Sequence, residues 1–177
     1  GTAASSAWCI QAAAQALNKG NSKCAIVASA SFPYQYFNMD AFHRFFGPSF
    51  FEPTLCEGAA AIALTKETTD RDASLGAIVD IRTFKAPIDD MPADVLAKEG
   101  YDLTAYEHVL LQPSPSGNFL AASEPLGLLA VLKALEEGRE GEFGSASGRG
   151  LSVTHDNFGN YSAIEVFSST KALSSSD

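Results

Sequence analysis

Apolar and polar positions follow two rhythms along this chain. In the opening stretch Ala7, Ile10, Gln11, Ala14 and Leu17 recur near the 3.6-residue period, which predicts a helix. Ser5 and Ser6 stand where N-capping hydroxyls belong, and Gly20 stands where a left-handed residue ends a helix. Alanines 12, 13, 14 and 16 keep this helix thin, so it is expected to be central and buried, with neighbours close on most sides. A strand-forming run, Lys23 to Ala30, follows almost at once. Cys56 to Glu67 reads as a tight glycine turn feeding a buried strand. Leu75 to Ala86 reads as a second strand with Asp80 and Arg82 on one face, and the two are expected to form a hairpin. A short helix is predicted near Ala93 to Lys98, and a short buried strand at His108 to Gln112. Helical periodicity returns from Phe119 to Gly138, with Pro125 at a first turn or a kink. Two strands, Gly150 to His155 and Asn160 to Ser168, meet at the turn Asp156 to Asn160.

Other stretches break these rhythms. The segment Ser31 to Pro53 is dense in aromatics, Phe42 and Phe46 among them, and is cut by Pro33, Gly47, Pro48 and Pro53. Such density suits a core, a subunit contact or the lining of an apolar channel. His43 lies within it and reads as an ordinary hydrogen-bonded histidine. Arg139 to Gly150 is glycine-rich and expected to be mobile, and the serine-rich tail 169–177 is expected to be disordered.

Composition narrows the function classes. At 177 residues the chain reads as one domain, residues 1–168, and 46% hydrophobic content fits a folded core. Lys plus Arg is 12 against 21 Asp plus Glu, a net charge of −9 with no basic run, which argues against a nucleic-acid partner. The opening lacks a charged region followed by a sustained apolar core, and no apolar run reaches membrane-spanning length, so a cytoplasmic chain is expected. Cys9, Cys24 and Cys56 show neither metal-ligand nor CxxC spacing, so no metal is predicted and the thiols read as reduced and buried. No cofactor-binding pattern stands out.

Candidate chemistry gathers at the first helix. A helix N-terminus offers unpaired amides and a positive dipole end, which activate a nucleophile and meet an oxyanion. Position 4, where Cys or Ser would serve, is alanine. Ser5 and Cys9 are the alternatives, with His108 or His155 as base; Cys9, one turn in, is expected to face inward, where a thiol is inert.

Four landmarks in order resemble a β-ketoacyl synthase, a condensing enzyme of the thiolase-like α/β fold. Thr2-Ala3-Ala4-Ser5-Ser6 is similar to the Thr-Ala-Cys-x-Ser elbow, and Cys56-Glu57-Gly58-Ala59-Ala60 to a Gly-Glu-Gly-Ala-Gly turn. Ser116-Gly117-Asn118 with its following Ala-Ala helix is similar to the segment carrying a catalytic His. Asn157 to Ala163 is similar to the closing Gly-Phe-Gly-Gly-Thr-Asn-Ala loop. The resemblance implies a mixed sheet packed on a central Ala-rich helix, incomplete without an N-terminal segment or a partner chain. It places the family nucleophile at Ala4 and one family His at Asn118, and the His-Gly-Thr loop has no counterpart. It thus implies a subunit of chain-length-factor type, without catalytic residues of its own, paired with a competent ketosynthase and served by an acyl carrier protein. It further implies a dimer built through the strand bearing Cys24, Ile26 and Ala28, and an acyl pocket shaped by Phe42, Phe46 and Phe158.

Overall fold

The computed structural model describes residues 5–32, 44, 56–66, 74–112, 119–139 and 147–168. Among the described residues, three α-helices longer than one turn and six strands stand out. They are α1 (Ser5–Asn18), β1 (Cys24–Ser31), β2 (Gly58–Thr65), β3 (Gly76–Lys85), α2 (Pro92–Lys98), β4 (His108–Gln112), α3 (Ser123–Glu136), β5 (Arg149–His155) and β6 (Asn160–Ser168). Strands β1 and β2 form an antiparallel pair, with Cys24 opposite Thr65 and Ser31 opposite Gly58. The other four strands form a mixed sheet in the order β3-β6-β5-β4, in which only β4 and β5 run parallel. Helices α1 and α3 lie between the two sheets: each touches the β1-β2 pair on one side and the four-stranded sheet on the other.

Local sequence explains the element ends. Helix α1 stops where Gly20 turns to φ +74, and the amide of Asn21 donates back to the Ala16 carbonyl. Helix α2 starts with Pro92 at its first position, where a missing N–H costs nothing, and ends before Gly100 at φ +89. Pro125 sits in the first turn of α3 and no kink is needed. The β5-β6 turn is held by Asp156, whose carboxylate accepts from the amides of Phe158 and Asn160 at 2.9 and 3.0 Å.

The two faces of the large sheet fill two cores. Leu128, Val131, Leu132 and Leu135 of α3 pack with Ile10, Val27, Ile62, Ile164 and Val166. On the opposite face Val95 and Leu96 of α2 pack with Tyr101, Tyr106, Leu151, Val153 and Tyr161. Close approach of α3 depends on small residues. A side chain added at Gly150 would put its Cβ 2.3 Å from Val131 Cγ1, and one at Gly127 would lie 2.9 Å from Ser152 Oγ.

Several expectations are corrected. The hairpin of β2 with β3 does not exist: β2 pairs with β1, and β3 with β6. Pairing follows which faces fill the core, and a bulge between Ile78 and Asp80 lets both Ile78 and Ile81 reach it. Asp80 and Arg82 still share a face, joined at 2.8 Å. Strand β2 is largely half-buried or exposed, with Ile62 its one buried residue. Helix α1 is buried along one face only, through Ser6, Ala7, Ile10 and Leu17, while Trp8 is 68% exposed. Cys9 and Cys24 are exposed and Cys56 is half-buried, so these thiols are not buried ones. Phe42, Phe46, the rest of 33–43 and 45–55, the glycine-rich 140–146 and the tail 169–177 lie outside the described residues.

Candidate functional site

One end of the molecule gathers the polar side chains. There α1 begins, β1 ends, β4 and β5 end, and α3 begins. The first turn of α1 is tied to the turn before α3: Ser6 Oγ donates to the Ala121 carbonyl and lies 3.1 Å from Ser29 Oγ. Ser29 Oγ donates to the same carbonyl at 2.6 Å. Three elements thus meet on one oxygen. Ser6 lies inside α1, beyond the N-cap position expected for it, and donates its hydroxyl proton to another segment. Phe119 packs beside Gly58, where an added Cβ would fall 2.7 Å from Phe119 Cδ1. Between Phe119 and Ala121 the chain passes through Leu120 at φ +47, a left-handed conformation that costs a leucine about 1–3 kcal/mol. Such an outlier persists where its surroundings over-determine it, and here the Ala121 knot and the buried Leu120 side chain do so.

Beneath this knot lies a buried acid. Glu124, in the first turn of α3, is fully buried. Ser152 Oγ donates to its Oε1 at 3.3 Å, and Thr154 and Ser162 contact its Oε2. Burial pushes this carboxyl up to about 7, partly opposed by the three hydroxyls. A helix N-terminus favours negative charge by only about 0.3–1 kcal/mol, whereas burying an ion without a counter-ion costs several kcal/mol, so the neutral form gains. Gln112, 95% buried at the end of β4, has an Oε1 with no hydrogen-bond partner among the described residues.

The remaining candidates are placed as follows. Ser5 opens α1 and is half-buried. Cys9 is on the outward face of α1, away from Ala7 and Ile10, so its expected inward orientation is wrong. His155 closes β5 at the site's end of the sheet and stacks on Tyr161 at 5.2 Å; burial holds its imidazole below the usual range, against the pull of Asp156. His108 begins β4, at the other end of the sheet, about 13 Å from Gln112 along the strand. It pairs there with the Arg139 carbonyl at 3.1 Å. The geometry therefore separates the two histidines considered as bases. Phe158 lies on the β5-β6 turn and is 54% exposed. Cys24, Ile26 and Ala28 share the exposed face of β1. Ala4 and Asn118 lie outside the described residues; the Ser6–Ala121 bond joins residues two and three positions beyond them in sequence.

The features missed from sequence are Ser29, Leu120, Glu124 and the part played by Ala121, which the landmark after Asn118 contains without marking its carbonyl. Only Glu124 left a trace, as an acid inside an otherwise apolar helix start. No group of three or more metal-ligating side chains occurs among the described residues. A cleft of about 660 Å³ opens between α1, β2 and β3, lined by Gln11, Ala14, Ile78 and Phe167. It adjoins the far half of α1 from Ser6 and is no part of the site. No helix among the described residues is long and apolar enough to cross a membrane.

No protein-family model and no curated protein matches the chain. Solved structures do match. The ishigamide ketosynthase/chain length factor superposes with a TM-score of 0.70 at 17% identity, over 95% of this chain and 55% of that one. Cerulenin-bound OleA from Xanthomonas campestris gives 0.61 at 16%, over 94% and 61%. The oxazolomycin ketosynthase domain of Streptomyces albus gives 0.58 at 13%, over 92% and 62%. The chain spans 55–62% of the length of these structures. Mixed four-stranded sheet, sandwiched helices and superposition agree: the chain has the thiolase-like fold of the ketosynthases.

Proposed function

We propose that the chain acts as a ketosynthase-like subunit without catalysis of its own, paired with an active β-ketoacyl synthase. The assembly would build acyl chains of fatty-acid or polyketide type on an acyl carrier protein, with Phe42, Phe46 and Phe158 shaping the acyl pocket. The observation that carries the reading is the alanine at position 4, directly before the helix whose first turn is knotted to Ala121. Condensation needs a group that takes the acyl chain as a thioester, and a methyl cannot. Asn118, on the segment leading into Ala121, has no titratable group. The name of one solved neighbour, a ketosynthase/chain length factor, supports a paired role. The exposed face of β1, bearing Cys24, Ile26 and Ala28, is the surface proposed for the pairing.

The test has two arms. Incubated alone with an acyl thioester and a malonyl carrier protein, the chain is expected to form no acyl adduct by intact mass and no condensation product. Co-expressed with the ketosynthase encoded nearest to its gene, it is expected to co-purify as a stoichiometric complex. An adduct mapped to Ser5 or Cys9 would instead establish the second reading, an acyltransferase or hydrolase with a relocated nucleophile. That reading draws on one observation, that His155 ends β5 at the site's end of the sheet.

A further inference from the structure

Three oxygens under the site touch one another in a closed triangle. Glu124 Oε2 contacts Thr154 Oγ1 and Ser162 Oγ, and these two hydroxyl oxygens lie 2.5 Å apart. Each edge is a hydrogen-bond contact and each needs a hydrogen. Thr154 and Ser162 bring one hydrogen each. Ser152 directs its own to the other carboxyl oxygen, Oε1. An ionised Glu124 leaves one edge as two lone-pair-bearing oxygens pressed together. A protonated Glu124 completes the ring, with each of the three oxygens donating once and accepting once.

The surroundings agree with the proton count. Every side chain named in the triangle is fully buried. The groups that face Glu124 are Ser152 and Thr154 from β5 and Ser162 from β6. Gln112 of β4 lies beside Gly127, one turn along α3, and brings no charge. No ionised side chain acts on Glu124 among the described residues. His155 lies on the opposite face of β5, against Tyr161.

We propose that Glu124 is held as a neutral carboxylic acid whose proton locks the first turn of α3 onto β5 and β6. The lock sits two residues beyond Ala122, the end of the turn whose Ala121 carbonyl gathers Ser6 and Ser29. Loss of the proton opens one edge of the ring and loosens the corner that carries this knot. Folding therefore takes up a proton wherever the unfolded carboxyl is ionised. The folded carboxyl titrates near 7, above its ordinary 4.5. The stabilisation is accordingly complete below the ordinary value and lost as pH rises through about 7.

Infrared spectroscopy and urea unfolding of the whole chain test this. At about pH 6 the wild type is expected to show the carbonyl stretch of a protonated carboxylic acid, absent from Glu124→Gln. Between about pH 4.5 and 7 the unfolding constant of wild type, divided by that of Glu124→Gln, is expected to rise about tenfold per pH unit. The ratio matters because burial holds the His155 imidazole below its usual range, an effect of opposite sign that cancels in the ratio. A wild type without the band, or a ratio that stays flat, overturns the proposal. Should Glu124→Gln not fold, Ser162→Ala keeps the acid and removes two of the three edges, those to Glu124 and to Thr154. Its band is then expected at higher frequency than in wild type, and an unmoved band also overturns the ring.

Discussion

The four-stranded sheet and the β1-β2 pair receive the same helices and end up differently. Strands β5 and β6 are buried along nearly their whole length, because α3 covers one face and α2 with its flanking tyrosines covers the other. Strands β1 and β2 are covered on one face only, so their side chains alternate between half-buried and exposed, and Ile26 is left 74% exposed. Helix α1 repeats the difference across its own width, with Ile10 fully buried and Trp8 outside. The larger sheet is thus a finished three-layer unit. Among the described residues, the smaller one is a surface with an uncovered apolar side, and β1 has no strand partner on its second edge. The first region is expected to carry most of the stability, and the second is the surface proposed above for association.

Substitutions should separate the two regions in a definite order. Leu128→Ala empties the centre of the α3 core and is expected to cost about 2–5 kcal/mol in urea unfolding, whereas Ile26→Ala on the open strand should change stability by less than about 0.5 kcal/mol. An equal loss at both positions would break the comparison. Gly150→Ala comes next. Its methyl meets Val131 and Leu135 in a filled space, for an expected loss of about 1–3 kcal/mol. Arg149→Met removes the ion pair with Glu165 and the stacking over Tyr106. Arg149 is 40% exposed on its side chain, so water screens the pair and the loss should stay within about 1 kcal/mol.

The smallest energetic effect is the sharpest test of association. In the isolated chain iodoacetamide should modify Cys9 and Cys24 at similar rates, and half-buried Cys56 more slowly. In complex with a partner docked on β1, Cys24 should become protected while Ile26→Glu restores its labelling. A Cys24 as reactive in the complex as in the free chain would remove β1 from the interface. Rapid labelling of Cys9 alone would point to an activated thiol. Sedimentation of the chain as a monomer at all concentrations would remove self-association as the way the open face is covered.

Much of the element order was legible in the residues. The period of α1, the stop at Gly20, the proline start of α2 and the Asp156 turn are local signals, each enforced within a few residues. The four landmarks also carried the fold. Two errors have a common cause: the β2-β3 hairpin and the fully enclosed α1 were inferred from neighbours in sequence, whereas pairing and burial depend on segments far away in the chain. The site shows the same division. The start of α1 was singled out by motif, but Ser6, Ser29 and Ala121 meet across 92 and 115 positions, and no local pattern encodes that.

The amino-acid order by itself determined where backbone turns, where helices start and stop, and that position 4 has no nucleophile, since each depends on one residue's chemistry or a few neighbours. Tertiary structure alone decided which strands pair, which thiols face water, that Leu120 takes a left-handed backbone, and that Glu124 sits in a ring of hydroxyls. Those outcomes depend on desolvation and on contacts between distant segments, and neither exists until the layers have closed.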